Sequence, residues 1–87
     1  MWLFLLRVSG KVGRILMLEH VEWMFPMSVN VGDLINTQYG ACRVTAIGET
    51  PEHTLFICVD QWDCEHVEER PDRLQLEVIF MIEEEVH

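Results

Sequence analysis

Six consecutive residues near the middle of the chain, Thr54-Leu55-Phe56-Ile57-Cys58-Val59, constrain its fold most strongly. The run is β-branched and apolar throughout. It is bounded by a loop containing Pro51 on one side and by Asp60 to Asp63 on the other. That length suits a strand buried on both faces and is too short for a core helix. Its neighbours read the same way. Leu34 to Gln38 forms a short strand, and Tyr39-Gly40 a turn in which glycine supplies positive φ. Cys42, Val44 and Ala46 alternate with Arg43, Thr45 and Ile47 in a second strand. Arg73 to Glu83 makes the last strand, with Leu74, Leu76, Val78, Phe80 and Ile82 on one face. Ile79 and Met81 lie on the other, so its far half is expected to be covered on both sides. Cys64 to Arg70 reads as a poor edge strand or as one or two helical turns ended by Pro71.

The N-terminal part is more apolar. Trp2, Phe4, Leu6 and Val8 alternate with Leu3, Leu5 and Arg7, which suits a strand, and residues 9–13 supply a turn. Arg14 to Phe25 fits a strand better than a helix, because a helix would carry apolar residues on every side. Pro26 ends either element. Four to six short strands in 87 residues indicate a mainly β protein. The expected architecture is a small SH3-like barrel, or a strongly bent antiparallel sheet, with an N-terminal apolar extension. Closing such a sheet removes exposed edges.

Charge divides the chain. Residues 1–26 carry three bases and two acids, net +1; residues 27–87 carry three bases and thirteen acids, net -10. Together these give the -9 of the whole chain. Met27-Ser28-Val29-Asn30 reads like a protein start. Residues 1–26 are therefore expected to be a hairpin or strand-helix extension joined to a barrel domain at 27–87. The acidity argues against direct nucleic-acid binding, which needs clustered Lys and Arg. The apolar N-terminus lacks a basic region ahead of it, is broken by Arg7, and has no clean small-residue cleavage site, so it does not read as a signal peptide. Arg7, Lys11, Arg14, Glu19 and Glu22 interrupt the stretch from Trp2 to Phe25, so no membrane span is expected. Three cysteines, Cys42, Cys58 and Cys64, do not make a disulfide framework and fit a reducing cytoplasm.

Val31-Gly32-Asp33-Leu34-Ile35, followed by Tyr39-Gly40, Arg43-Val44 and Ile47, resembles the opening of SH3-like small barrels. In particular it is similar to the Tudor-like N-terminal domain of CarD-type bacterial transcription regulators. Ala41 stands where a proline is often seen in that turn. The resemblance covers about seventeen residues and bears on fold more than function. It implies protein binding, in CarD-type domains to RNA polymerase. The short chain with its apolar leader also resembles, in style, the orphan reading frames of mobile elements such as integron cassettes and phages.

No catalytic motif stands out, and no enzyme activity or cofactor is expected. Asp63-Cys64-Glu65-His66 gathers possible metal ligands, with Asp60 and His53 nearby, but lacks the spaced pairs of a zinc site. Cys64 sits between two acids, which raise a thiol pKa rather than activate it. The expected function is a protein–protein interaction module. Tyr39, Phe56, Trp62 and Asp63 are its candidate partner-binding residues, because aromatics dominate interface hot spots. The acidic surface implies a partner with a basic surface. The alternative is a small-ligand or metal-binding protein using the 60–66 loop, through Trp62, Asp63, Cys64 and His66. The N-terminal region holds more large apolar groups than a small core needs. Burying each is worth about 1.5–3 kcal/mol. A homo-oligomer is therefore expected, with Trp2, Phe4, Leu6, Ile15, Met17 and Trp23 at its interface.

Overall fold

The computed structural model describes the backbone of residues 3–5 and 14–85 and the side chains of residues 20–82. The protein is mainly β. Seven strands are described: β1 (Leu3–Leu5), β2 (Arg14–Met24), β3 (Leu34–Thr37), β4 (Gly40–Glu49), β5 (His53–Val59), β6 (Glu65–Pro71) and β7 (Leu76–Glu85). A single 3-10 turn, Pro26–Ser28, follows β2. All pair antiparallel in one sheet of order β1-β2-β7-β3-β4-β5-β6. The strands β3 to β6 form a meander, and β7 returns beside β3.

Arg14 to Met24 settles as a strand because β7 offers it a partner along its whole length, from Arg14↔Glu85 to Met24↔Leu76. A shift of register at Leu18/His20 bends it. The charge boundary near residue 27 is thus not a boundary in the sheet. β2 joins the same ladder as the later strands, and Met24 packs against the core. Residues 1–2 and 6–13 lie outside the described backbone, so the strand expected over Trp2 to Val8 is seen at Leu3–Leu5 alone.

The core is one cluster: Val29, Ile35, Val44, Phe56, Leu76 and Val78, with Phe80 partly buried against it. It lies on one face of the curled sheet, where β3, β4, β5 and β7 each supply alternate residues. Thr45 falls at a bulge between Val44 and Ala46, and its hydroxyl donates to the Ile57 carbonyl at 3.1 Å. The entrance to β3 is fastened from both sides. Gly32, at φ +97°, donates its amide to the Val44 carbonyl, and the Val44 amide returns a bond to Asp33. Asp33 Oδ2 accepts from the Asn30 amide. The Gly-Asp pair therefore joins the turn before β3 directly to β4.

Two expectations for the last strand need correction. Leu74 is exposed, because the chain turns at Pro71–Leu74 and the Leu74 amide donates to the Pro71 carbonyl. The strand begins at Leu76. Ile82 is also exposed: β3 pairs with β7 no further along than Ile79, so at Ile82 the strand is paired with β2 and lies past the β3 residues that share the core. The segment from Cys64 to Arg70 is an edge strand rather than helical turns, with Pro71 at its end, where no ladder donor is required.

Candidate functional site

Two turns meet at one end of the sheet. Thr37 Oγ1 accepts from the Tyr39 amide and donates to the Gly40 carbonyl, each at 3.0 Å. Gly40 sits at φ +90°, a conformation that would strain any residue bearing a Cβ. This tight β3–β4 connection presents Tyr39 outward. The β5–β6 connection is built around Asp60. Its Oδ1 accepts from the Trp62 amide at 2.8 Å and the Cys64 amide at 3.0 Å. The Asp60 amide donates to the Cys64 carbonyl, and Asp63 takes a left-handed φ of +62°. Asp tolerates that conformation better than most residues.

The second Asp60 oxygen reaches further. His66 Nε2 lies 2.7 Å from Asp60 Oδ2, with the nitrogen donating to the carboxylate. His66 also stacks flat on Tyr39, ring centroids 3.8 Å apart and 8° from parallel. A continuous contact thus runs from the β3–β4 turn, through His66 on β6, to the β5–β6 turn. The bond from His66 and the two backbone amides hold the Asp60 carboxyl below its ordinary value. Nearby, Arg70 Nη2 lies 3.5 Å from the Asn36 carbonyl and 3.7 Å from Glu68 Oε1. These side chains draw β6 toward β3, two strands that share no ladder.

The candidate residues divide accordingly. Tyr39 and Trp62 are exposed, at 47% and 66%, and Asp63 is exposed beside Trp62. The structure brings these three to one end. Phe56 is a correction: it is fully buried in the core and offers no surface to a partner. Its inward position follows from the β5 alternation that also buries Thr54 and Cys58. Asp60 and His66 stood out in the sequence as possible metal ligands, and their structural linkage was missed. An Asp opening a four-residue turn is the signal that could have revealed the Asp60 bonds.

Among the described residues no group of three or more His, Cys, Asp or Glu is placed to hold a metal ion. The His66 Nε2 atom is already bonded to Asp60, and the Cys64 thiol lies 3.8 Å from the Trp62 carbonyl. Cys42 and Cys58 are buried, and all three thiols are free. Burial, followed by the neighbouring Cys42 and Glu68, pushes the Cys58 thiol up to about 12.

For the assembly residues, Trp23 is 61% exposed on β2. Phe4, Ile15 and Met17 lie on β1 and β2, outside the described side chains, while Trp2 and Leu6 lie outside the described backbone. Among the described residues no helix is long and apolar enough to cross a membrane. No protein-family model, curated protein or solved structure matches this chain.

Proposed function

We propose that this protein is a protein–protein interaction module that docks a basic protein surface through the Tyr39–Trp62 end of its sheet. Copies of the chain assemble through its N-terminal region. One observation carries the docking: two exposed aromatics stand on a hydrogen-bonded platform. Tyr39 is fixed by its stack on His66, and the Trp62 turn by the Asp60 carboxylate. A large side chain already held in place loses little entropy on binding. The net charge of -10 over residues 27–87 favours a basic partner and speeds its approach. Three free thiols fit a reducing cytoplasm as the setting. The resemblance to the Tudor-like domain of CarD-type regulators makes the transcription machinery a candidate source of the partner.

Calorimetric titration with a Lys- and Arg-rich peptide tests this. Binding is expected to weaken as salt rises. Tyr39→Ala and Trp62→Ala are each expected to weaken it about tenfold, with the fold intact by circular dichroism. An affinity indifferent to both substitutions would place the docking surface elsewhere. No binding to basic peptides at all would remove the proposal.

A further inference from the structure

One edge of the sheet is unpaired. β6 ends the strand order, and among the described residues its one ladder is with β5. The phase of that ladder follows from the bonds at its two ends. The Asp60 amide donates to the Cys64 carbonyl, and the Asp72 amide to the Glu52 carbonyl. An antiparallel pair bonds at every second position, and the register between these ends is unbroken. His66, Glu68 and Arg70 therefore direct their backbone groups at Cys58, Phe56 and Thr54. The amides and carbonyls of Glu65, Val67 and Glu69 point away from β5, and among the described residues they have no partner. Pro71 closes this row, since it has no amide and its carbonyl accepts from the Leu74 amide.

The side chains of the same residues are exposed, Val67 at 65%. They lie on the face opposite the core, beside Val59, Ile57 and Leu55 of β5, which are half-buried. β5 turns Thr54, Phe56 and Cys58 the other way, into the protein. The free edge is thus lined acid, aliphatic, acid, with an aliphatic strip behind it. Like charges bar a second copy. Antiparallel pairing of β6 with itself about Val67 would set Glu65 of one chain against Glu69 of the other. The same acids favour a strand of the opposite charge pattern.

We infer that β6 accepts an extended segment of a partner protein as an added antiparallel strand, one with a basic, an aliphatic and a basic residue at alternate positions. The partner's Lys or Arg residues stand opposite Glu65 and Glu69. Its aliphatic residue stands opposite Val67, next to Ile57. Main-chain bonds to Glu65, Val67 and Glu69 hold the segment, and the side chains set its register. The intervening residues fall on the face where His66 meets Tyr39 and Arg70 reaches Asn36, which favours small side chains there. This binding mode rests on the reading of the protein as a module for basic partners, and adds the partner's conformation and sequence pattern. β6 leads directly away from the Trp62 turn, so one partner can meet both surfaces.

Calorimetric titration of the full chain with capped peptides tests it. The probe holds Lys-Thr-Val-Thr-Lys between two threonines at each end, and it is expected to bind. N-methylation of both lysines and the valine is expected to weaken binding about tenfold or more, because those amides face β6. N-methylation of the two intervening threonines, whose amides face away, is expected to change affinity by less than about threefold. Glu65→Lys with Glu69→Lys is expected to weaken the unmethylated probe about tenfold or more. Glu49→Lys with Glu52→Lys alters exposed acids at the β4–β5 hairpin and makes the same change of net charge, from -9 to -5. That pair is expected to weaken binding by less than about threefold, since distant charges are screened. Thermal melts confirm that each variant folds. Equal sensitivity to the two methylation patterns, or to the two pairs of substitutions, overturns the added strand and leaves docking at Tyr39 and Trp62 standing. So does a probe that fails to bind while other Lys- and Arg-rich peptides bind. No binding by any basic peptide overturns both.

Discussion

Replacing Phe56 separates its two possible roles, core residue and contact residue. Its side chain is fully buried among Val29, Ile35, Val44, Leu76 and Val78. Truncation to alanine removes a whole ring from a packed site, at about 3–5 kcal/mol. An 87-residue domain has a total stability of roughly 4–13 kcal/mol. Phe56→Ala therefore approaches the unfolding limit, and Phe56→Leu is the better probe. Leucine keeps the apolar contact and loses part of the volume, for about 1–2 kcal/mol. In a domain of this size that lowers the melting temperature by about 5–15 °C. Urea titration followed by far-ultraviolet circular dichroism reads the change as a lower midpoint with an unaltered slope. Under the same conditions Trp62→Ala is expected to stay within about 0.5 kcal/mol of wild type, because its side chain is mostly exposed. Phe56→Leu and Phe56→Ala both matching wild type would refute the core assignment and the β5 register behind it.

Three further outcomes follow from the turns and the thiols. Asp60 has its carboxyl pKa lowered in the folded state, so it contributes stability above the unfolded carboxylate value near 3.8 and loses that contribution as pH falls through its lower folded value. Asp60→Asn should flatten the acid limb of a pH–stability curve over that window, and an unchanged limb would argue against the His66 and backbone bonds. Thr54, buried at 3% exposure, donates to Asp72 Oδ1 at 2.6 Å; Thr54→Val should cost about 1–3 kcal/mol by chemical denaturation because the bond is made to a carboxylate. Maleimide labelling of the native protein at pH 8, read by mass spectrometry, should modify Cys64 alone. Cys58 is buried with its thiol near 12, and Cys42 is buried, so rapid labelling of either would contradict the core.

Local pattern carried much of the fold. Thr54 to Val59 is a strand because its length and β-branching leave little else, and β5 covers it with one residue to spare. Gly40 and the Gly32-Asp33 pair stand where positive φ and turn bonds are required, so their residue types mark the positions. Pattern was weaker where apolar residues occupied both faces. Arg14 to Met24 could have been helical from its own residues, and pairing with β7 decided the matter. Leu74 and Ile82 fitted the alternation of β7 but fell outside the core, because a turn and the end of β3 set where that core begins and stops.

The candidate site shows the same division. Tyr39 and Trp62 could be picked out as aromatics in turn segments, and both side chains are exposed. Phe56 has the same chemistry and the opposite fate, since alternation along a strand fixes which residues share a face and not which face turns inward. The link from Tyr39 to His66 to Asp60 joins residues up to 27 positions apart and has no signature in local spacing. What the sequence by itself determined was the class of elements, the turn positions and the acid charge, because each depends on residues close together in the chain. Which face became the core and which rings met were decided by the tertiary structure, because strand order and register bring together residues that local interactions cannot reach.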